Sequence, residues 1–101
     1  MSAPLDAHLE RFEGAKFPLG QLVATRGILA AVTHEEILVG IGRHAVGDWG
    51  ELCEADRLEN ERSLTEGARL FSVYRSTAGV KFYIITEWDR SITTALLPEE
   101  Y

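Results

Sequence analysis

A chain of 101 residues, 46% hydrophobic and 26% charged, has the length of one domain and enough apolar content for a single core. No apolar run approaches the roughly 20 residues that cross a bilayer, and Asp6, His8, Glu10, Arg11 and Glu13 interrupt Met1 to Phe17 too often for a secretory signal. Cys53 is the only cysteine, which excludes an internal disulfide and a cysteine-rich zinc site and suits a reducing cytoplasm, while a net charge of -6 disfavours polyanionic partners.

Leu5, Leu9 and Phe12 recur at helical spacing and predict a short amphipathic helix over residues 4–13, within an N-terminal extension (1–18) to one α+β domain (19–101). The run Leu19 to Ala24 suits a strand, followed by a helical turn from Ile28 to Val32. Thr33 with Glu36 three positions later has the form of a capping box, so a helix to about Ala45 should place Ile37, Leu38, Ile41 and His44 inward. In Gly47-Asp48-Trp49-Gly50, Asp48 is the candidate N-cap of the next helix and Trp49 the side chain that pins the loop to the core. That next helix, about Glu51 to Thr65, has Leu52, Ala55, Leu58 and Leu64 as a narrow apolar side, and Gly67 stops it. Three strands in a meander complete the chain, Arg69–Arg75, Val80–Thr86 and Ser91–Leu97, with Pro98 ending the last. With the Leu19 strand they predict about four strands in one sheet, packed on one side by helices.

The acidity is local. Asp48 to Glu66 carries seven acids against Arg57 and Arg62, hence -5 of the total -6. A helix so charged, with so few apolar residues, leaves Glu51, Glu54, Glu59 and Glu61 as candidate contacts for a partner with a basic surface. Direct nucleic-acid binding is not expected from that balance, and a homo-oligomer is compatible with it.

From Gly20 to Tyr101 the chain resembles a family of small plasmid and integrative-element proteins. The resemblance rests on Arg43-His44, Gly47-Asp48-Trp49-Gly50, the spacing of Asp56 and Asn60, Leu70 through Arg75, and Ile84-Ile85-Thr86-Glu87. It continues in Asp89-Arg90-Ser91, Thr93-Thr94 and Leu96-Leu97-Pro98-Glu99-Glu100-Tyr101. It implies an accessory protein of a mobile genetic element and brings no established activity with it.

One constellation could carry chemistry. A helix-end His44 followed by a meander offering Arg75, Arg90 and Thr93 matches, in order and residue type, the compact metal-independent ribonucleases of the barnase, colicin and toxin kind. His44 would move a proton, Arg75 or Arg90 would offset phosphate charge, and Thr93 would position a phosphate oxygen. A core-edge histidine hydrogen-bonded to the Gly47 loop is the structural alternative. His8, His34 and His44 lie too far apart in sequence to mark a metal site, and no cofactor is expected. The reading is therefore a non-catalytic protein that binds a basic macromolecule through an acidic helix, with a ribonuclease or a structural, oligomerising protein as the alternatives.

Overall fold

The computed structural model describes residues 2–6 and 9–101. It is an α+β fold with five strands: β1 (Ser2–Pro4), β2 (Gln21–Thr25), β3 (Leu70–Arg75), β4 (Lys81–Thr86) and β5 (Ile92–Leu96). Three helices precede the last three strands: α1 (Arg26–Ala31), α2 (His34–Ala45) and α3 (Glu54–Glu66). Short 3-10 turns occupy Leu9–Phe12 and Pro98–Glu100.

The strand order is β1-β2-β5-β4-β3. After β2 the chain leaves the sheet through the helices, re-enters at the far edge as β3, and walks back by two antiparallel steps until β5 lies parallel to β2. The sheet is thus mixed, and it has one strand more than the sequence suggested. That strand is β1, antiparallel to β2, with Ala3 opposite Ala24 and Leu5 N–H donating to the Leu22 carbonyl. The helix expected over residues 4–13 is confined to the 3-10 turn; Ala7 and His8, also within that span, lie outside the described residues. Leu5 and Phe12 belong to the main core, so this part of the presumed extension is built into the body.

Alternation along the strands sorts side chains between two faces. Ser72, Tyr74, Phe82, Ile84, Thr86, Thr93 and Ala95 share the inner face through the register Ser72 to Ile84, Thr86 to Thr93 and Ile84 to Ala95. Against it α2 lays Ile37, Leu38 and Ile41, and α1 lays Ile28. Thr33 caps α2 as its sequence indicates: its Oγ1 accepts from Glu36 N at 3.1 Å and donates to Glu36 Oε1 at 3.1 Å.

α3 differs from expectation in its start and in how it attaches. Its N-cap is Cys53, not Asp48, and Leu58 is exposed. The helix holds on through polar groups and through Leu64, which is half-buried against the cluster of Phe17, Trp49 and Leu70. Asn60 Nδ2 donates to the Phe71 carbonyl at 2.6 Å and its Oδ1 accepts from Phe71 N at 3.2 Å. One side-chain amide therefore occupies both backbone groups of an edge-strand residue. Two residues along, Glu51 N donates to Val73 O and Val73 N donates to Trp49 O. The β3 edge is closed by this double cover, which stops it from templating another strand.

Candidate functional site

A buried polar chain runs across the inner face. His44, at the C-terminal end of α2, meets Ser72 Oγ through Nδ1 at 2.6 Å and Thr86 Oγ1 through Nε2 at 2.9 Å. Thr86 Oγ1 lies 2.7 Å from Thr93 Oγ1, which donates to the Leu19 carbonyl at 2.6 Å. His44, Ser72, Thr86 and Thr93 have no accessible surface.

Counting protons fixes the polarity of this chain. Four contacts must share four protons, one from each hydroxyl and one from a neutral imidazole. Thr93 uses its proton on Leu19, so Thr86 must donate to Thr93, His44 Nε2–H must donate to Thr86, and Ser72 must donate to Nδ1. Only the neutral Nε2–H tautomer satisfies all four. A second proton on the ring would put two donors at Ser72. Burial, and then the charge of Arg90, push the His44 pKa down to about 3, in agreement with that count. Among the described residues no buried side-chain nitrogen or oxygen lacks a partner.

The aromatic surroundings close the site from the other side. Phe17 meets His44 edge-on with centroids 5.3 Å apart, and Trp49 does so at 5.6 Å. Trp49 is buried, stacks on Phe17 and donates its indole N–H to Glu61 Oε2 at 2.8 Å. Glu61 is therefore tied into the packing of this loop. Trp49→Phe, which keeps the ring and loses the donor, should cost about 1–2 kcal/mol in urea denaturation. No measurable loss would mean that the indole bond contributes nothing.

The four residues of the ribonuclease constellation are placed as follows. His44 and Thr93 belong to the same closed chain, and neither reaches solvent. Arg90 lies over Phe17, its guanidinium 5.8 Å from that ring's centre, and donates to the carbonyls of Ala68, Glu87 and Ser63. Its backbone is left-handed at φ 60, a conformation held by those three bonds between the β4–β5 turn and the end of α3. Arg75 points to the opposite sheet face, where its Nε lies 3.1 Å from Glu51. The constellation does not converge on a solvent-accessible pocket. Arg75 alone of the four lines a cleft, one of about 300 Å³ beside Glu36, Arg43 and Thr77, while another of about 320 Å³ opens beside Arg69, Glu87 and Tyr101.

No family model, curated protein or solved structure matches the chain. The site must therefore be read from its own chemistry. Among the described residues no cluster of histidine, cysteine, aspartate and glutamate is arranged to hold a metal ion, and no helix is long and apolar enough to cross a membrane.

Asp48 does serve the loop, though not as a helix cap. Its carboxylate takes Arg43 Nε at 2.7 Å and Nη2 at 3.2 Å, while its carbonyl accepts from Tyr74 Oη at 2.6 Å. The Arg43 guanidinium holds this carboxyl below the usual aspartate range. Arg43 also lies over the Tyr74 ring, 4.7 Å from its centroid.

The candidate partner contacts divide. Glu51 pairs with Arg75, Glu59 with Arg62, and Glu61 with the Trp49 indole. Glu54 is exposed and without an ion pair among the described residues, and Asp56 and Glu66 share that state. The sequence did not separate these groups, because the distinction depends on which acids face Arg75 and Trp49 once α3 is docked.

Proposed function

We propose that this chain is a non-catalytic accessory protein of a mobile genetic element that binds a protein of basic surface through the outer side of α3. The observation that carries the reading is the way α3 is attached. Only Asn60 and Ser63 of the helix are buried, and Asn60 acts on the β3 edge through its amide. An ordinary surface helix stays in place by burying an apolar stripe. Here Leu58 is 57% exposed, with Glu54 one turn before it and Glu61 and Arg62 one turn after it, so the outer side is free to meet a partner. An apolar residue within a charged field suits a short hydrophobic contact ringed by ion pairs.

Opposite charge speeds encounter, and salt screens it over about 8 Å at physiological ionic strength. Neutralising Glu54→Gln, Asp56→Asn and Glu66→Gln together should slow association with a partner purified from the host by about tenfold at low salt and far less at high salt. Glu61 must be left intact, because its loss would disturb Trp49 and confuse folding with binding. Equal association rates for parent and triple variant at both salt concentrations would remove α3 as the docking surface.

The ribonuclease reading has less behind it. A general base needs to reach a substrate hydroxyl, and both nitrogens of His44 are occupied inside the core. Its direct check is metal-free incubation of folded protein with varied RNA, where cleavage that disappears in His44→Leu would restore it.

A further inference from the structure

The outer face of the sheet has a different character from α3. Here Phe71, Tyr83 and Tyr101 form a cluster, with the Phe71 and Tyr83 centroids 4.8 Å apart and the Tyr101 centroid 6.2 Å from Phe71 and 5.9 Å from Tyr83. Tyr101 is 68% exposed, and Phe71, Tyr83, Ile92 and Thr94 are half-buried on the same face. α1 and α2 pack on the other side, and α3 grips the β3 edge.

Charge on this face balances. Arg69, Arg75 and Lys81 oppose Glu51, Glu87 and Glu100, so these six sum to zero and the rest of the chain carries the whole of the -6. Arg69 lies 3.6 Å from Glu87, and Arg75 pairs with Glu51. Lys81 is the exception. It stands directly across from Arg75 in the β3–β4 register, a like-charge arrangement that disfavours the pairing, and has no ion pair among the described residues.

We propose that this face is a self-association surface on which a second copy of the chain packs, sheet against sheet. Two molecules of net charge -6 repel each other along most approaches, and most strongly where α3 faces α3. The outer face is where two identical surfaces can meet without that repulsion. A two-fold pairing places each surface on its own image, so the unanswered Lys81 of one copy comes opposite a face that carries carboxylates. Aromatic and arginine side chains at the centre with charged groups around them is the composition of protein interfaces.

The size of the face sets the strength. The open part of the face is small, because Val73, Ile85 and Leu96 on the same side are buried within the chain and β1 has only three residues. A stable dimer commonly buries about 800 Å² per partner, more than this face offers, so the association should be weak and concentration-dependent.

Sedimentation equilibrium of the full chain over a wide concentration range tests the proposal. The parent should move from monomer to dimer. Tyr101→Glu combined with Lys81→Glu, both at exposed positions, should raise the dissociation constant at least tenfold while leaving the circular dichroism spectrum intact. The α3 variant that neutralises Glu54, Asp56 and Glu66 should dimerise at least as well as the parent, which separates this surface from the one proposed for the basic partner. A parent that stays monomeric throughout, or a dimer indifferent to the Tyr101 and Lys81 changes, overturns it. Amide shifts with concentration at Phe71, Tyr83 and Thr94 are the supporting spectroscopic result; shifts confined to α3 would count against it.

Discussion

Stability should fall steadily as pH drops below about 6.5, by about 1.4 kcal/mol for each pH unit, with His44 as the source. Both terms of that expectation come from the buried chain. In the unfolded protein His44 takes up a proton at its ordinary pKa, whereas in the native protein burial and Arg90 hold the pKa near 3. The sign follows from counting protons. Above pH 6.5 neither state binds one and the group contributes no slope; between 6.5 and 3 the unfolded state binds a proton that the native state refuses, so acid favours unfolding. The accumulated loss is on the order of 5 kcal/mol, a large share of the 5–15 kcal/mol by which small domains are stable. Asp48, whose carboxyl is held low by Arg43, adds its loss only below the ordinary aspartate range. Glu36 and Glu100, held below the glutamate range by hydrogen bonds from Thr77 and Thr25, add theirs as pH falls through that range, so the interval from about pH 6.5 to 5.5 isolates the histidine.

Urea denaturation at several pH values reads this slope directly. His44→Leu should flatten it, since leucine does not titrate, while lowering stability at neutral pH by about 2–4 kcal/mol because the Ser72 and Thr86 hydroxyls lose their partner. If that variant is too unstable to measure, Ser72→Ala gives a milder form: it removes the donor to Nδ1 and should make the acid slope shallower. A parent whose free energy is flat from neutral pH to about 4.5 would show that His44 is protonated, or exposed, in the native state.

The parts of the fold with a clear period were legible in the sequence. Val80, Phe82 and Ile84 alternate strictly, and β3, β4 and β5 fall where the meander was expected. The Thr33–Glu36 box located α2 to within a residue, because capping is a local interaction between groups three positions apart. β1 escaped notice because three residues, one of them Pro4, carry no alternation to detect. The start of α3 was misplaced for another reason: residues 49–51 are occupied by backbone bonds to Val73, a contact about 24 positions away that overrides local helix signals. His44 was correctly placed on the inward face. Its partners were also visible in principle, since Ser72 sits between Leu70 and Tyr74 and Thr86 follows Ile84 on faces otherwise apolar. A polar residue at an apolar position in each of three adjacent strands is the signal, and reading it requires the strand order.

Gly50→Ala should be severely damaging, costing on the order of 3–5 kcal/mol and lowering the melting temperature by roughly 15 °C or more. Gly50 sits at φ 76, and a Cβ there would lie 1.9 Å from the Val73 carbonyl oxygen. No side-chain rotation can relieve a clash with backbone. The loop would have to withdraw, breaking the Glu51–Val73 and Val73–Trp49 bonds and unseating Trp49 from Phe17 and His44. Withdrawal would also bare part of the β3 edge, leaving Asn60 to cover Phe71 alone, so the variant should aggregate on heating where the parent does not. Gly67 supplies the control. It has the same φ of 76 at the end of α3, yet a Cβ there meets nothing within 4 Å, so Gly67→Ala carries the backbone strain without the collision and should cost only about 1 kcal/mol. The difference between the two variants measures the close approach of the loop to β3. Equal losses would mean that strain at the glycine accounts for everything and that the loop does not hold the edge.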